Sequence, residues 1–457
     1  MDEAIHLVHN YGTSPVSHCL RRDALEGAVH VCGHHTPAAT GDDMNHEDTV
    51  MDTQAGSPGR LSNNYSFWLI LTGTTISSFG DTFNTVAITL WVLMTTKSPA
   101  AMSVVLAVRM MVSVALGTVA GTVVDRVDRR KLMVMFDFIQ SMIVGMLIYL
   151  ILSKAPFWEL LVLLALLSAA SQFRDPAFSA SLIHIVGEQG LPRASSALQV
   201  AIMLSRVLGP VLGGSIVSWF GISAALIGDA ISFAVSALFV LAAKPFPNPH
   251  IETAKKSKFL KDLVNGVVFV SKNAIASYIT IFAFCLNFFS YGATLLIPTI
   301  AVLTWKTTPT ELGTIQGAFP LGFAAGSGVL MALGHHIRKR WAWMGLATIL
   351  AGLLMGSVSL VHKPMLALPF IFLTGFAFAF VSILITVAIR TLVAPDLQGR
   401  VLGTLDSVGN LATPLAMVLA GLWSDKSGAP VVLMVVGLGT MAIGALSICV
   451  RRMRTFD

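Results

Sequence analysis

Charge is what this 457-residue chain has least of: Asp, Glu, Lys and Arg make up 12% of it, against about 25% in soluble domains. Cysteine is nearly absent too. Its four residues are scattered, which excludes a disulfide framework. Cys285 and Cys449 fall inside apolar runs and read as small core residues. No apolar segment follows a basic start, so no signal peptide is expected. No glycine-rich loop leads into a phosphate-binding Lys, and no catalytic constellation is present. An ATP-driven pump, an enzyme and a nucleic-acid binder are all disfavoured, and no cofactor or metal is implied.

Hydrocarbon fills the space that charge leaves. Hydrophobic residues are 54% of the chain, gathered in twelve runs. These lie at about 67–94, 100–124, 131–152, 157–181, 196–219, 222–243, 275–303, 311–333, 341–361, 365–390, 400–422 and 430–450. Most exceed the ~18 residues that let a helix cross a bilayer. Helices satisfy their own backbone, which lipid cannot do for them. The expected fold is an all-α membrane protein with twelve transmembrane helices in two six-helix halves. Alternate loops hold 19 Lys and Arg on one side against five on the other. By the positive-inside rule both termini are cytoplasmic.

Residues 1–60 differ in kind. Nine acids, three Arg and no Lys give them a net charge of −6, so residues 61–457 carry +12. Their polar composition predicts a disordered extension. Cys19, Cys32, His30, His34 and His35 lie close together, but their spacing matches no zinc module. Residues 61–243 read as the first six-helix bundle and 275–457 as the second. Between them, 244–274 reads as a cytoplasmic linker. There Phe259, Leu260, Leu263, Val264, Val267 and Val268 share one face of an amphipathic helix with lysines alongside.

The two halves repeat one plan. Pro210 and Trp219 recur 204 residues later as Pro414 and Trp423. Gly117 and the basic trio Arg129, Arg130 and Lys131 recur 209 residues later as Gly326 and Arg338, Lys339, Arg340. Glycines one turn apart pack helices backbone to backbone, and the pairs Gly117/Gly121, Gly209/Gly213, Gly322/Gly326 and Gly399/Gly403 occupy matching runs. They are expected to form contacts between halves that make and break.

Six of the seven residues from Asp125 to Lys131 are charged, within "GTVVDRVDRRKL". The cations hold a cytoplasmic hairpin in place; the two aspartates need another explanation. This stretch resembles the loop signature of the major facilitator superfamily through Gly121, Asp125, Arg126, Arg129 and Arg130, with Asp128 where the family often has Gly. "SRVLGPVLGG" is similar to the same family's antiporter motif through Gly209, Pro210, Gly213 and Gly214, with Ser205 in place of the first Gly. "APDLQGRVLGTLDSVGNLATPLAMVLAGLWSDKSG" resembles the branch that holds macrolide-efflux and enterobactin-export proteins. The resemblance covers about residues 65–450. It implies that Asp125 sits against the cytoplasmic start of run eleven, where a helix N-terminus favours a carboxylate. Arg400 and Asp406 are assigned to the same gate.

Ionisable residues at membrane depth default to function. Asp81 lies in the middle of run one, Arg109 of run two and Arg206 of run five; these three are the proton-coupling candidates. Asp137 and Asp229 read as structural, and Arg174 and Asp175 as either caps or functional charges. Asn84, Phe284, Asn287, Phe288, Tyr291, Phe376 and Phe380 are the candidates for a substrate cavity.

The expected function is export of an amphipathic small molecule by alternating access with proton antiport. The protein would act as a monomer in the bacterial inner or plasma membrane. One rival is a lipid or siderophore exporter of the same fold in which Asp81 only pairs with Arg109. Another is a receptor or scaffold that transports nothing. Deleting residues 1–50 should leave membrane insertion and transport intact, checked by expression and export in cells. Loss of folded protein that zinc restores only to the full-length chain would assign that segment a structural role.

Overall fold

A computed structural model describes residues 64–245, 274–333, 339–393 and 395–449. Residues 1–63 and the greater part of the linker lie outside them. Among the described residues the secondary structure is helical and contains no strand. The first three helices are α1 (Tyr65–Thr96), α2 (Pro99–Val124) and α3 (Arg129–Leu152). Phe157–Phe220 then runs for 64 residues, but Gly187 within it has φ 71° and ψ 169°. It is therefore two helices, α4 (157–186) and α5 (188–220). Next come α6 (Ile222–Ala242), α7 (Ala274–Thr299), α8 (Pro309–Leu333) and α9 (Arg340–Val358). The last are α10 (Pro364–Leu392), α11 (Pro395–Ser427) and α12 (Ala429–Cys449).

The expected loop between runs four and five is not there. The helix-forming residues of "SLIHIVGEQGLPRASS" carry the helix on, and one glycine in a conformation costly to other residues makes the whole turn. Among the described residues, nine helical segments, the α4–α5 pair counting as one, are long and apolar enough to span a membrane. Helices α1 and α11 have 32 and 33 residues but are more polar.

Local signals set the boundaries. Ser98 caps α2 by accepting from the Ala101 N–H, with Pro99 at the first helical position. Asp128 caps α3 by accepting from the N–H groups of Arg130 and Lys131. Thr308 and Glu311 form a reciprocal capping box at α8, at 2.8 and 3.3 Å. Lys97, Lys154 and Lys306, three of the five cations on the sparsely charged side, lie at or just past helix ends with positive φ. Lys426 lies in the last turn of α11. A cation there complements the negative end of the helix dipole, which explains why these four escape the charge bias.

Glycine replaces side-chain packing where helices cross closely. In the last six helices, a Cβ on Gly322 or Gly375 would collide with the carbonyl oxygen of Phe372 or Phe319, so α8 and α10 touch backbone to backbone. For two of the four glycine pairs the expectation that they join the halves needs correction. Gly209 and Gly213 abut Thr82 and Phe83 of α1, and Gly322 and Gly326 abut Phe372 and Phe376 of α10, each within its own set of six helices. Different small residues bridge the sets: Gly214 meets Pro309 and Thr310, Gly313 meets Pro210, Gly317 meets Val207, and Gly421 meets Ser103.

The first six helices are pinned by a buried charge network. Arg174 of α4 donates to Asp137 of α3 at 3.0 Å, to Ser236 of α6 at 3.0 Å and to Thr74 of α1 at 3.3 Å. Ser236 in turn donates to Asp137 at 2.7 Å. Arg174 is 4% exposed and Asp137 0%. Asp137 is thus structural, and Arg174 neither snorkels nor caps; it ties four helices together. Removing one member leaves the other charge buried and alone, at a cost of ~3–5 kcal/mol. Arg174→Gln should therefore lower the melting temperature of the purified protein sharply. The double change Arg174→Gln with Asp137→Asn should recover most of the loss.

Candidate functional site

A cavity of about 570 Å³ opens between the two sets of helices, a size suited to a drug-like molecule. Thr82, Thr85 and Thr89 bring one face of α1 to it, Met102 and Leu106 bring α2, and Arg206 and Pro210 bring α5. From the other set come Tyr291 and Thr294 of α7, Gln316 and Phe319 of α8, Met355 of α9, Phe378 of α10 and Thr440 of α12. Helix α7 is distorted here: Pro298 lines the cavity and a π-helical turn, Ile300–Thr304, follows it. Proline cannot donate to the helix ladder, and π turns often mark sites where a helix changes course.

The wall is more apolar than its residue names suggest. Thr82, Thr85 and Thr89 each donate their hydroxyl to a carbonyl of α1, at 2.7, 2.8 and 2.7 Å. Thr440 and Thr374 do the same in α12 and α10. Their donors are spent. Among the described residues Arg206, Gln316 and Tyr291 line the cavity without a hydrogen bond or ion pair.

At one end the cavity is sealed. The contacts of Gly214 with Pro309, Gly313 with Pro210 and Gly317 with Val207 follow α5 and α8 over successive turns. Beside them Ser98 and the Ala100 N–H donate to Asp425 of α11 at 2.9 and 3.3 Å. At the opposite end, no described residue lies within 4 Å of the place a Gly121 side chain would occupy.

The charged hairpin lies at that opposite end. Arg130 donates to the carbonyls of Val240, Leu241 and Ala243 at 3.2, 2.6 and 2.8 Å, closing the C-terminus of α6. Arg129 donates to the Ala180 carbonyl of α4 at 2.7 Å. Asp125 is 60% exposed and pairs with Arg129 at 3.4 Å. Asp125 thus contacts its own hairpin here; most side chains at the start of α11, where the resemblance places its partner, lie outside the described residues. The side chains of Arg400 and Asp406 lie outside the described residues.

Asp81 is half-buried on α1 and makes no ion pair with either expected partner. Arg109, Asp175, Arg174 and Asp137 all lie within its electrostatic reach. Arg109 is also reached by Asp229, whereas Arg206 lines the cavity. Asn84 does not line the cavity. It is 2% exposed and donates to Asp229 at 2.8 Å, because its turn of α1 faces α6. One oxygen of each, Asn84 Oδ1 and Asp229 Oδ1, is buried without a partner.

Of the expected aromatics, Tyr291 reaches the cavity and Phe284, Phe288, Phe376 and Phe380 are not part of its wall. Phe376 and Phe380 pack on each other at 5.4 Å, as Phe284 and Phe288 do at 6.5 Å. Asn287 faces Gly409 of α11. Rings four residues apart satisfy one another, and Phe378, on another face of α10, supplies the wall. Sequence reasoning missed the threonine face of α1, recognisable as Thr82, Thr85 and Thr89 at helical spacing.

The family model of the Major Facilitator Superfamily matches residues 70–417. The chain is 26% identical over 398 residues to the uncharacterized MFS-type transporter YfiS of Bacillus subtilis, covering 84% of this chain and 93% of that protein. It is 25% identical to the multidrug efflux pump Tap of Mycolicibacterium fortuitum, covering 74% and 84%. It is 23% identical to macrolide efflux protein A of Streptococcus pyogenes, covering 68% and 78%. In fold it is similar to a crystal structure of the nucleoside transporter NupG, with a TM-score of 0.66 at 13% identity, covering 84% of this chain and 98% of that one. With its helices, its central cavity and these likenesses together, the chain belongs to the Major Facilitator Superfamily and resembles its drug-efflux branch.

Proposed function

We propose that the protein exports an amphipathic small molecule across the bacterial cell membrane by alternating access, in exchange for protons. The observation that carries this reading is the cavity between the two sets of six helices, apolar on nearly all sides and sealed at one end. The division at 61–243 and 275–457 supplies the two bodies that rock, and the parallel repeat of the sequence fits such a plan. With both termini in the cytoplasm, the sealed end faces outside and the described state receives its cargo from within. The efflux relatives support the direction. A scaffold would need neither a cavity nor a seal built from glycine.

Two aspartates stand at opposite ends of the α2–α11 pair as opposing latches. Asp425, at the end of α11, accepts from the N-terminal turn of α2 in the described state. Asp125, at the end of α2, is free to reach the N-terminal turn of α11 once the cytoplasmic side closes. Each contact gains ~0.3–1 kcal/mol or more from the helix dipole. Asp425→Ala should therefore shift the population toward the cytoplasm-closed state and Asp125→Asn away from it. Labelling of a cysteine placed at Gly121, with the native cysteines replaced, should fall in the first and rise in the second. Unchanged labelling in both would remove the latches from the mechanism.

Asp81 is proposed to carry the proton. It is a half-buried carboxylate at membrane depth, unpaired, with Arg109 and Asp175 in electrostatic reach. Asp81→Asn keeps the shape and cannot titrate. Uphill export driven by a pH gradient in vesicles should collapse, while substrate binding and downhill exchange largely survive. Full pH-driven export by a well-folded Asp81→Asn protein would move proton coupling to Asp229, whose buried and unpartnered oxygen makes it the next candidate.

A further inference from the structure

Among the described residues, Arg206 is the one charged side chain in the wall of the cavity. No described Asp or Glu lines it, and Arg206 makes no hydrogen bond or ion pair with any described residue. The other intramembrane arginines of the first set are accounted for: Arg174 is bonded to Asp137, and Arg109 lies in reach of Asp81 and Asp229. A guanidinium at membrane depth with no counter-ion is costly, and a cavity of low polarity strengthens its attraction for any anion that enters.

Its position adds meaning. Arg206 stands beside Val207 and one turn before Pro210, the two residues of α5 that meet Gly317 and Gly313 of α8 in the seal. An anion bound there touches the segment that must open for release. The rest of the wall offers methyl groups, aromatic rings and only a few free polar groups such as Gln316 and Tyr291.

We infer that the cavity selects amphipathic molecules bearing one anionic group, a carboxylate or sulfonate, which pairs with Arg206 while the apolar body packs against the opposite helices. This rests on reading the cavity as the transport site. It excludes cationic amphiphiles as preferred cargo, because the wall places a cation and no carboxylate against them.

The test compares two dyes with the same ring skeleton, anilinonaphthalene sulfonate and the uncharged phenylnaphthylamine. Each is titrated into full-length protein in phosphatidylcholine vesicles, with empty vesicles subtracted. A charge-assisted contact is strong enough that the sulfonate should bind at least ~10-fold more tightly than its parent. Arg206→Gln and Arg206→Met should erase that difference and leave the affinity for the parent dye unchanged, which also shows that the variants are folded. Arg206→Lys should keep part of it. Equal affinities in the natural protein, or a parallel loss of both dyes in the variants, would overturn the inference. Adding phosphatidylglycerol distinguishes the source of the anion. Competition that depends on Arg206 assigns the site to a lipid, and its absence assigns it to a soluble amphiphile. Charge-selective binding with no movement of either dye would retire the transport reading and leave this one. Export of the uncharged dye that ignores Arg206, without preference for the sulfonate, would do the reverse.

Discussion

The contact between α5 and α8, made almost without side chains, decides the rest of the architecture. Gly214 lies on Pro309, Pro210 on Gly313 and Val207 on Gly317, so each gap left by a missing side chain is filled by backbone from the other helix. In lipid, apolar side chains gain little by leaving one hydrocarbon environment for another, and close backbone packing carries much of the association. Such a contact has no intermediate setting: a carbonyl oxygen either occupies the place of the absent Cβ or lies away from it. A contact of this kind suits the two states that the proposed alternating access requires.

The two sets of helices are held by different chemistry, and the difference sorts function between them. The buried charged residues among those described, Arg129, Asp137, Arg174 and Asp229, all belong to the first set. There Arg174 ties α1, α3, α4 and α6 together, and Arg129 and Arg130 fasten the hairpin to the ends of α4 and α6. The second set is joined by glycine crossings, Gly322 on α10 and Gly437 against α9. Titratable groups and their fields are thus concentrated on one side of the cavity, while the other offers aromatic and aliphatic surface. A proton site and a hydrophobic cargo can be accommodated without competing for the same atoms.

The fold was legible in the sequence because membrane helices need length and hydropathy, and both are local. The charged hairpin was legible as an anchor, and Asp128 proved to be the cap of α3. The identity of partners was not legible. Asn84 and Asp81 are three residues apart, and only the packing of α1 shows that Asn84 faces Asp229 while Asp81 has no ion-pair partner among the described residues. The glycine pairs misled for a similar reason. Spacing of four predicts a close crossing but does not name the helix crossed, and Gly209 meets α1 while Gly214, little more than a turn further on, meets α8. A single-glycine junction such as Gly187 is equally hidden, since it needs one positive φ and no loop composition.

Placing the unpaired cation in the cavity and the unpaired carboxylate outside its wall has an energetic consequence for coupling. A neutral molecule leaving in exchange for one entering proton moves one positive charge inward. An anion leaving in the same exchange moves two charge equivalents inward, because outward movement of a negative charge adds to inward movement of a positive one. Each charge gains ~2.3 kcal/mol per 100 mV of an interior-negative membrane potential. In the proposed exchange a single proton site would then suffice for steep accumulation outside, and the membrane potential itself would repel an anionic cargo from the cytoplasm. Cationic cargo would cancel the same advantage. Under the proposed exchange, the sign of the one charge among the described wall residues would set both what the cavity holds and how strongly the membrane drives it out.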